Sequence, residues 1–273
     1  MLDSRPRRSV LYLPAANARA IAKARTLTCD CVILDLEDAV APDAKVAARA
    51  AAVAAVQAGG WGAREVLLRV NGLATPWSAD DFAAASEAGV AGIVVPKLDD
   101  AADVGVAVHR AGTIPVWAMI ETPRGVLAAD AIAAVNGIAA LVAGMADLAN
   151  DLRAKPGADR LPLLYSLSRI VLAARASGIL AFDGVFTDIH DASGCEAEAQ
   201  QGAALGFDGK TLIHPSQIDI ANRVFAPSAA EIDDAQGLIA AYEAALADGR
   251  GVTTYKGKLV EVLHVAAARR RLA

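Results

Sequence analysis

Cysteine is scarce in this chain of 273 residues, which contains only Cys29, Cys31 and Cys195. So few cysteines exclude a small scaffold held together by several disulfides. Cys29 and Cys31 lie two residues apart at the start of an apolar run, but a structural zinc site needs four ligands and no second pair accompanies them. We expect three buried, reduced thiols, as is usual in a cytoplasmic protein.

The chain also lacks an excess of positive charge and any long apolar run. Its formal net charge is −5, with acids and bases interspersed, whereas nucleic-acid-binding proteins usually present a basic face. No uncharged run reaches the length of a membrane span, and the residues before the first apolar run have no signal-peptide pattern. The sequence therefore predicts a cytoplasmic protein without nucleic-acid or membrane partners.

A Gly-x-Gly-x-x-Gly motif is missing after the first apolar run, where the chain reads Leu13-Pro14-Ala15-Ala16-Asn17. This disfavours an open, dinucleotide-binding sheet. The chain instead has eight short apolar runs separated by segments with helical patterning, which predicts parallel strands joined by crossovers. Eight such units predict an α/β protein with a (β/α)8 (TIM) barrel. The runs span 9–14, 31–36, 65–70, 92–96, 115–120, 139–144, 181–187 and 207–213.

The pattern changes after Pro215, and the last part of the chain exceeds a minimal barrel. We predict that residues 1–226 form the barrel, which carries the metal and substrate site, and that residues 227–273 form a C-terminal helical and hairpin extension. Within it we expect a helix over 229–247, a hairpin over 251–259 and a helix over 260–272. The extension either packs on the barrel wall or forms a lid or subunit contact, and both alternatives stay open.

Polar residues gather at the C-terminal ends of the runs, where barrel enzymes carry their active sites. Glu121 follows the fifth run and Asp147 lies three residues past the sixth, so a barrel would bring their carboxylates close together. Two acids that face one cavity repel each other unless a cation lies between them, and Mg²⁺ often uses only one or two protein carboxylates. The alternative is that each acid caps a helix. Gly125 and Gly144 weaken it, because glycine lets a ligand approach the backbone.

Arg69 ends the third run, and its planar fork suits the carboxylate of a substrate. The acids Asp35, Glu37 and Asp38 follow the second run, and such a cluster needs cations nearby. A salt bridge from Arg69 to this cluster is the alternative to substrate binding, and both hold if the acids orient the arginine. We predict that Glu37 and Asp38 lie around the metal and support its ligands.

Several motifs, in one order from about residue 5 to the end, resemble those of the citrate lyase β-subunit family in the HpcH/HpaI aldolase superfamily. They lie at 8–14, 32–40, 96–97, 120–125, 147–148, 206–210 and 213–218. The resemblance implies a Mg²⁺-dependent barrel that cleaves or forms a carbon–carbon bond in citryl-, malyl- or citramalyl-CoA, or in citryl-acyl carrier protein. It also implies a homo-oligomer, either a trimer or a hexamer.

By the same resemblance, Glu121 and Asp147 are metal ligands, with Glu121 also at the substrate. Arg69 is the catalytic arginine that binds the substrate carboxylate, and Glu37 and Asp38 form the acidic motif beside the metal.

The sequence departs from the family pattern at two places. The residue before Asp147 is often polar in the family and is Ala146 here. CoA-using members carry an aspartate in a Gly-Lys-Met-x-Asp stretch that reaches a neighbouring subunit, whereas residues 257–261 of this chain end in Glu261. Glutamate keeps the charge and adds one methylene, so Glu261 of a neighbouring subunit is a candidate for the general base, and a metal-bound water is the alternative.

These observations predict a Mg²⁺-dependent lyase that converts a 3-hydroxyacyl thioester into an acyl thioester and a 2-oxo acid. One alternative is the β subunit of a citrate lyase complex that acts on citryl-acyl carrier protein. Another is a thioesterase or a condensing enzyme on the same scaffold. The acyl group and the choice between CoA and carrier protein are left open.

Overall fold

The computed structural model describes residues 5–272, in which eight parallel strands close into a barrel. Each strand pairs with the next along the chain, and β1 pairs with β8 to complete the ring. The predicted (β/α)8 barrel is thereby confirmed. The strands are β1 (Ser9–Pro14), β2 (Cys31–Asp35), β3 (Glu65–Arg69), β4 (Gly92–Val95), β5 (Val116–Ile120), β6 (Ile138–Ala143), β7 (Leu180–Asp183) and β8 (Gly209–Leu212).

Alternate residues of each strand point into the barrel, while the others face the surrounding helices. Val10, Ile33 and Leu67 belong to the interior cluster, where the rings of Trp117 and Phe182 stack with centroids 4.4 Å apart. Residues two positions further along keep the same direction and therefore point into the barrel mouth. They include Tyr12, Asp35, Arg69 and Met119, which line one cavity.

The strand register determines which side chains become neighbours at this mouth. Asp35 and Arg69 are paired positions at the ends of β2 and β3. Ile120 of β5 pairs with Ala143 of β6, and this brings the residue after each strand, Glu121 and Gly144, side by side.

Helices follow the strands and cover the outside of the barrel, where they form the largest apolar cluster with the outward strand residues. Helix α3 ends at Gly89, whose φ of 70° lies in the left-handed region that glycine adopts at little cost. The helices of this unit are α1 (Ala18–Ala24), α2 (Lys45–Gln57), α3 (Ser78–Ala88), α4 (Ala101–Ala111), α5 (Pro123–Leu127), α6 (Ala129–Ala133), α7 (Met145–Asp151), α8 (Leu164–Ser177), α9 (Ala192–Leu205) and α10 (Ile218–Val224).

The seventh run is shorter than its apolar pattern predicts. β7 ends at Asp183 rather than continuing to residue 187. The Asp183 carboxylate accepts a hydrogen bond from Arg160 at 2.8 Å and lies 3.4 Å from Nζ of Lys210. Residues 184–188 consequently form a loop, and Asp188 lies in that loop instead of at a strand end.

The described residues divide into two compact units, of which the first is Pro6–Phe225 and the second runs from Ala226 to residue 272. The second unit contains α11 (Ala229–Ala247), a hairpin of β9 (Thr253–Tyr255) and β10 (Lys258–Val260), and α12 (Val262–Leu272). Ser228 and Glu231 form a capping box at the start of α11, which satisfies backbone N–H groups that the helix leaves unpaired. None of the helices within residues 5–272 has the length and apolar character needed to cross a membrane.

Candidate active site

Arg69 is held by the acidic cluster that follows β2. Its Nε and Nη2 donate to the two carboxylate oxygens of Asp35, each at 2.7 Å, which is a bidentate pair. Its Nη1 lies 3.0 Å from Oε2 of Glu37 and 3.4 Å from Oδ2 of Asp38. Burial alone would lower the pKa of Arg69, but the hydrogen bonds and charge of Asp35 raise it above its ordinary value. The acids therefore orient the guanidinium, and this salt bridge exists whether or not Arg69 also binds substrate.

The acidic loop is itself fixed by backbone hydrogen bonds. The Asp35 carboxylate accepts the N–H groups of Glu37 at 2.9 Å and Ala39 at 3.2 Å. Nζ of the buried Lys45 donates to the carbonyl oxygens of Leu36 and Glu37 at 2.8 and 2.7 Å. The loop thus presents its acids in one arrangement.

Glu37 lies between two cations. Its Oε1 accepts a hydrogen bond from Nζ of Lys97 at 3.1 Å, while Oε2 approaches Arg69 without forming a hydrogen bond with any residue that the structure describes. Burial raises the pKa of Glu37, and the charge of Arg69 opposes that shift.

Glu121 is deeply buried, with 1% of its surface exposed. Its Oε1 accepts the backbone N–H of Lys97 at 2.8 Å, and Lys97 has a left-handed backbone with φ of 52°. Its Oε2 is buried and has no hydrogen-bond partner within residues 5–272. Burial, and then the negative charges of Glu37 and Asp147, raise the pKa of Glu121 to about 8. A buried carboxylate oxygen without a partner, close to other acids, is suited to bind a cation.

The charges at this end of the barrel do not balance. With all five acids ionised, five carboxylates and three cations give a formal charge of −2, which a divalent ion would neutralise. The groups are Asp35, Glu37, Asp38, Glu121 and Asp147, with Lys45, Arg69 and Lys97.

The donor set fits Mg²⁺ better than a metal that needs an all-protein cage. Among the residues described, no three His, Cys, Asp or Glu side chains are placed so that they could together hold one metal ion. A metal held by Glu121 and Asp147 would therefore take its remaining ligands from substrate and water, as Mg²⁺ commonly does. Glu121 would bind the ion through Oε2, which has no hydrogen-bond partner among the residues described. Asp147 lies in the first turn of α7.

Gly144 makes room for the Glu121 carboxylate. A Cβ atom at Gly144 would lie within van der Waals overlap of Glu121, 2.8 Å from its Oε2 and closer still to its Cβ. The position is thus limited to glycine by a close approach.

Replacing Gly144 by alanine is therefore expected to displace Glu121 and to lower the free energy of unfolding by about 1–3 kcal/mol, as overpacking usually does. Urea denaturation measures the change. Gly105→Ala is the matched control, because a Cβ there meets nothing within 4 Å and alanine favours the middle of α4 by about 1 kcal/mol over glycine. Equal stability of Gly144→Ala and the unmodified chain would contradict this interpretation.

A cavity of about 390 Å³ opens at the same end of the barrel. Its wall combines the acidic group and Arg69 with small and apolar side chains. The lining residues are Tyr12, Pro14, Asp35, Asp38, Ala39, Arg69, Met119, Ala143, Gly144, Met145, Ala146, Asp147, Val185, Thr211 and Ile213.

The structure brings five of the six predicted site residues together: Glu37, Asp38, Arg69, Glu121 and Asp147. The sixth, Glu261, lies in the C-terminal unit just before α12, where its backbone N–H donates to Nδ1 of His264 at 3.0 Å. Its role as a base stays a prediction.

Sequence reasoning missed Tyr12. A tyrosine inside an apolar strand run is typical of a core residue. Its position offered one signal: Tyr12 lies two residues after Val10 in the same strand, so both side chains point into the barrel.

The model of the HpcH/HpaI aldolase/citrate lyase family matches residues 8–215. The chain belongs to this family. It is 45% identical over 271 residues to a (3S)-malyl-CoA thioesterase of Cereibacter sphaeroides, an alignment that covers 99% of this chain and 95% of that one. It is 37% identical to the citrate lyase subunit beta of Leuconostoc mesenteroides subsp. cremoris, over 96% of this chain and 90% of that one.

Among solved structures, the protein CitE from Mycobacterium tuberculosis, in complex with magnesium, acetoacetate and coenzyme A, is similar with a TM-score of 0.83 and 32% identity. The superposition covers 98% of this chain and 97% of that one. The family resemblance found in the sequence motifs is confirmed.

Proposed function

We propose that this chain is a Mg²⁺-dependent carbon–carbon lyase that cleaves a 3-hydroxyacyl-CoA thioester into an acyl-CoA and a 2-oxo acid. The relatives agree with the predicted class, because they include a citrate lyase β subunit and an L-malyl-CoA/β-methylmalyl-CoA lyase of Cereibacter sphaeroides, 36% identical. The observation that carries the proposal is the uncommitted Oε2 of Glu121 near Asp147, beside an arginine that is already oriented.

Glu121 and Asp147 would hold Mg²⁺ in this scheme. When bound, the ion supplies Lewis-acid polarisation of the hydroxyl and carboxylate oxygens of the substrate. Gly144 keeps the Glu121 carboxylate in place, and the backbone N–H of Lys97 fixes its other oxygen.

Arg69 would bind the substrate carboxylate. Asp35 occupies the edge formed by Nε and Nη2, so the guanidinium cannot rotate away from the cavity that it lines. A carboxylate would approach the N–H groups that Asp35 leaves free, and Glu37 and Asp38 beside Nη1 limit the directions of approach.

We assign the general base to Glu261 of a neighbouring copy, which requires a homo-oligomer such as a trimer. The support is the family pattern at residues 257–261 and the exposed turn of the hairpin that precedes it. Sedimentation of the purified chain tests the oligomer.

A second candidate function is hydrolysis of the thioester. It is favoured by the 45% identity to the (3S)-malyl-CoA thioesterase. The two reactions differ in their products: the lyase gives acetyl-CoA and glyoxylate from malyl-CoA, and the thioesterase gives free CoA and malate.

The test is incubation of the purified chain and Mg²⁺ with malyl-, citramalyl- and citryl-CoA, followed by mass spectrometry of the products. Formation of an acyl-CoA and a 2-oxo acid without added proteins supports the proposal, whereas release of free CoA supports hydrolysis. Turnover only of citryl-acyl carrier protein, with partner subunits present, would instead assign the chain to a citrate lyase complex.

The raised pKa of Glu121 predicts pH-dependent metal binding. Below about pH 8 the side chain is protonated in the metal-free protein, whereas Mg²⁺ binds the carboxylate, so binding displaces one proton. The Mg²⁺ affinity should rise about tenfold per pH unit between pH 6 and 8, and calorimetry in buffers of different ionisation enthalpy should detect proton release. The metal-free chain should lose stability as the pH rises through the same range, because its folded state binds more protons than its unfolded state. A Glu121→Gln variant should show neither dependence, and a flat profile in the unmodified chain would contradict the assignment.

A further inference from the structure

Tyr12 has a buried hydroxyl group without a hydrogen-bond partner. It lies in β1, follows the inward direction of Val10 and lines the cavity. Its Oη is inaccessible and forms no hydrogen bond with any residue from 5 to 272. Burying a hydroxyl without a partner lowers stability. Such a hydroxyl in a residue that lines a cavity, beside Arg69 and the acids of the candidate site, indicates a contact with a ligand.

The Tyr12 ring packs against Arg69. The guanidinium carbon of Arg69 lies 5.0 Å from the ring centroid, within the range of a cation–π contact. Arg69 is in turn fixed by its two hydrogen bonds to Asp35. Tyr12, which lines the cavity, therefore packs against a side chain that is itself fixed, and donors on such fixed groups stabilise developing charge best.

The other hydroxyl in the cavity wall is already engaged, and Arg69 is partly engaged. Oγ1 of Thr211 donates to the backbone oxygen of Asp183 at 2.9 Å. Nε and Nη2 of Arg69 donate to Asp35. Tyr12 therefore has the one hydroxyl in the described wall that is free to donate to a substrate.

We propose that the Tyr12 hydroxyl donates a hydrogen bond to the thioester carbonyl oxygen of the substrate. This assignment rests on the proposed function. During cleavage, the substrate hydroxyl loses its proton to the base and becomes the carbonyl of the 2-oxo acid. The bond between C2 and C3 of the acyl group breaks, and its electron pair moves onto the thioester as an enolate, which is later protonated at C2. Negative charge develops on the thioester oxygen, where a fixed donor stabilises it most, and Tyr12 keeps its own proton throughout.

The same contact would serve hydrolysis. Attack of water on the thioester carbon forms a tetrahedral intermediate whose negative charge lies on the same oxygen. The assignment of Tyr12 to the thioester oxygen is therefore compatible with the second candidate function as well.

Tyr12→Phe tests the proposal, because it removes only the hydroxyl and keeps the ring against Arg69. We expect kcat to fall about 100-fold, the usual scale for loss of one oxyanion donor, with KM and the affinity for a free 2-oxo acid changed less than about threefold. Exchange of the acetyl-CoA methyl hydrogens with deuterated water, which requires the enolate, should slow by a similar factor. Tyr165→Phe is the matched control, since that side chain is 65% exposed on α8.

Unchanged kcat and unchanged methyl exchange in Tyr12→Phe would overturn the assignment. So would an effect confined to the affinity for the 2-oxo acid, because the hydroxyl would then contact the carboxylate instead. If the unmodified chain releases no product but exchanges the methyl hydrogens in a Tyr12-dependent way, the proposed function fails while the role of Tyr12 stands.

Discussion

Replacing Glu121 by glutamine is expected to lower kcat/KM by about 1000-fold or more. The amide has the shape of the carboxylate but carries no charge, so the site loses part of the negative charge that a divalent ion needs. Metal ions supply several kcal/mol of transition-state stabilisation, and each 1.36 kcal/mol corresponds to a factor of ten in rate. Asp147→Asn should have the same consequence, because both carboxylates belong to the proposed metal site.

Steady-state kinetics at increasing Mg²⁺, together with calorimetric titration of Mg²⁺, measure these effects. Both variants should need much more Mg²⁺ and should not regain full activity at saturation. Asp130→Asn is a suitable control, because that acid is 63% exposed and pairs with Arg169 on the outside of the barrel. Full activity of either site variant in the presence of EDTA would refute the proposed metal ligands.

Replacing Arg69 by methionine is expected to lower the free energy of unfolding by about 3–5 kcal/mol, as is usual when one partner of a buried ion pair is removed. Asp35, which is 1% exposed, would lose both hydrogen bonds to the guanidinium and the charge that compensates it. Cleavage should also cease, because no other cation in the described cavity wall is placed to bind the carboxylate. Arg69→Lys should recover part of the stability, since it keeps the charge but not the bidentate geometry.

Urea denaturation at neutral pH gives the stability difference. Arg250→Met is the control, because Arg250 and Asp248 form an exposed pair of a kind that typically contributes less than about 1 kcal/mol. A loss in Arg69→Met no larger than in this control would mean that Asp35 does not depend on the arginine.

The barrel was predictable because its signal is repeated eight times along the chain. Alternation of apolar runs with segments of helical patterning predicts parallel strands wherever it occurs, and the observed bounds of α11 coincide with the predicted ones. The prediction was wrong at the end of β7, where residues 185–187 continue the apolar pattern. At that point Asp183 pairs with Arg160 and Lys210. Both partners are distant in sequence, so the local apolar pattern does not indicate where the strand ends.

The candidate site was predictable to the extent that it depends on strand ends. Glu121 and Asp147 follow neighbouring strands, so the topology alone brings them close together. The hydrogen bond from the backbone N–H of Lys97 to Glu121 accompanies a left-handed backbone at Lys97, just after β4. A lysine in the sequence does not predict that backbone conformation. The unpartnered hydroxyl of Tyr12 is a property of its surroundings and could be found only with coordinates.

The most direct test of the central claim follows malyl-CoA in the presence of the purified chain and Mg²⁺ by mass spectrometry. The account predicts that acetyl-CoA and glyoxylate appear in equal amounts, that EDTA stops their formation, and that added Mg²⁺ restores it. Release of free CoA and malate without acetyl-CoA, or cleavage that continues at full rate in EDTA, would contradict it.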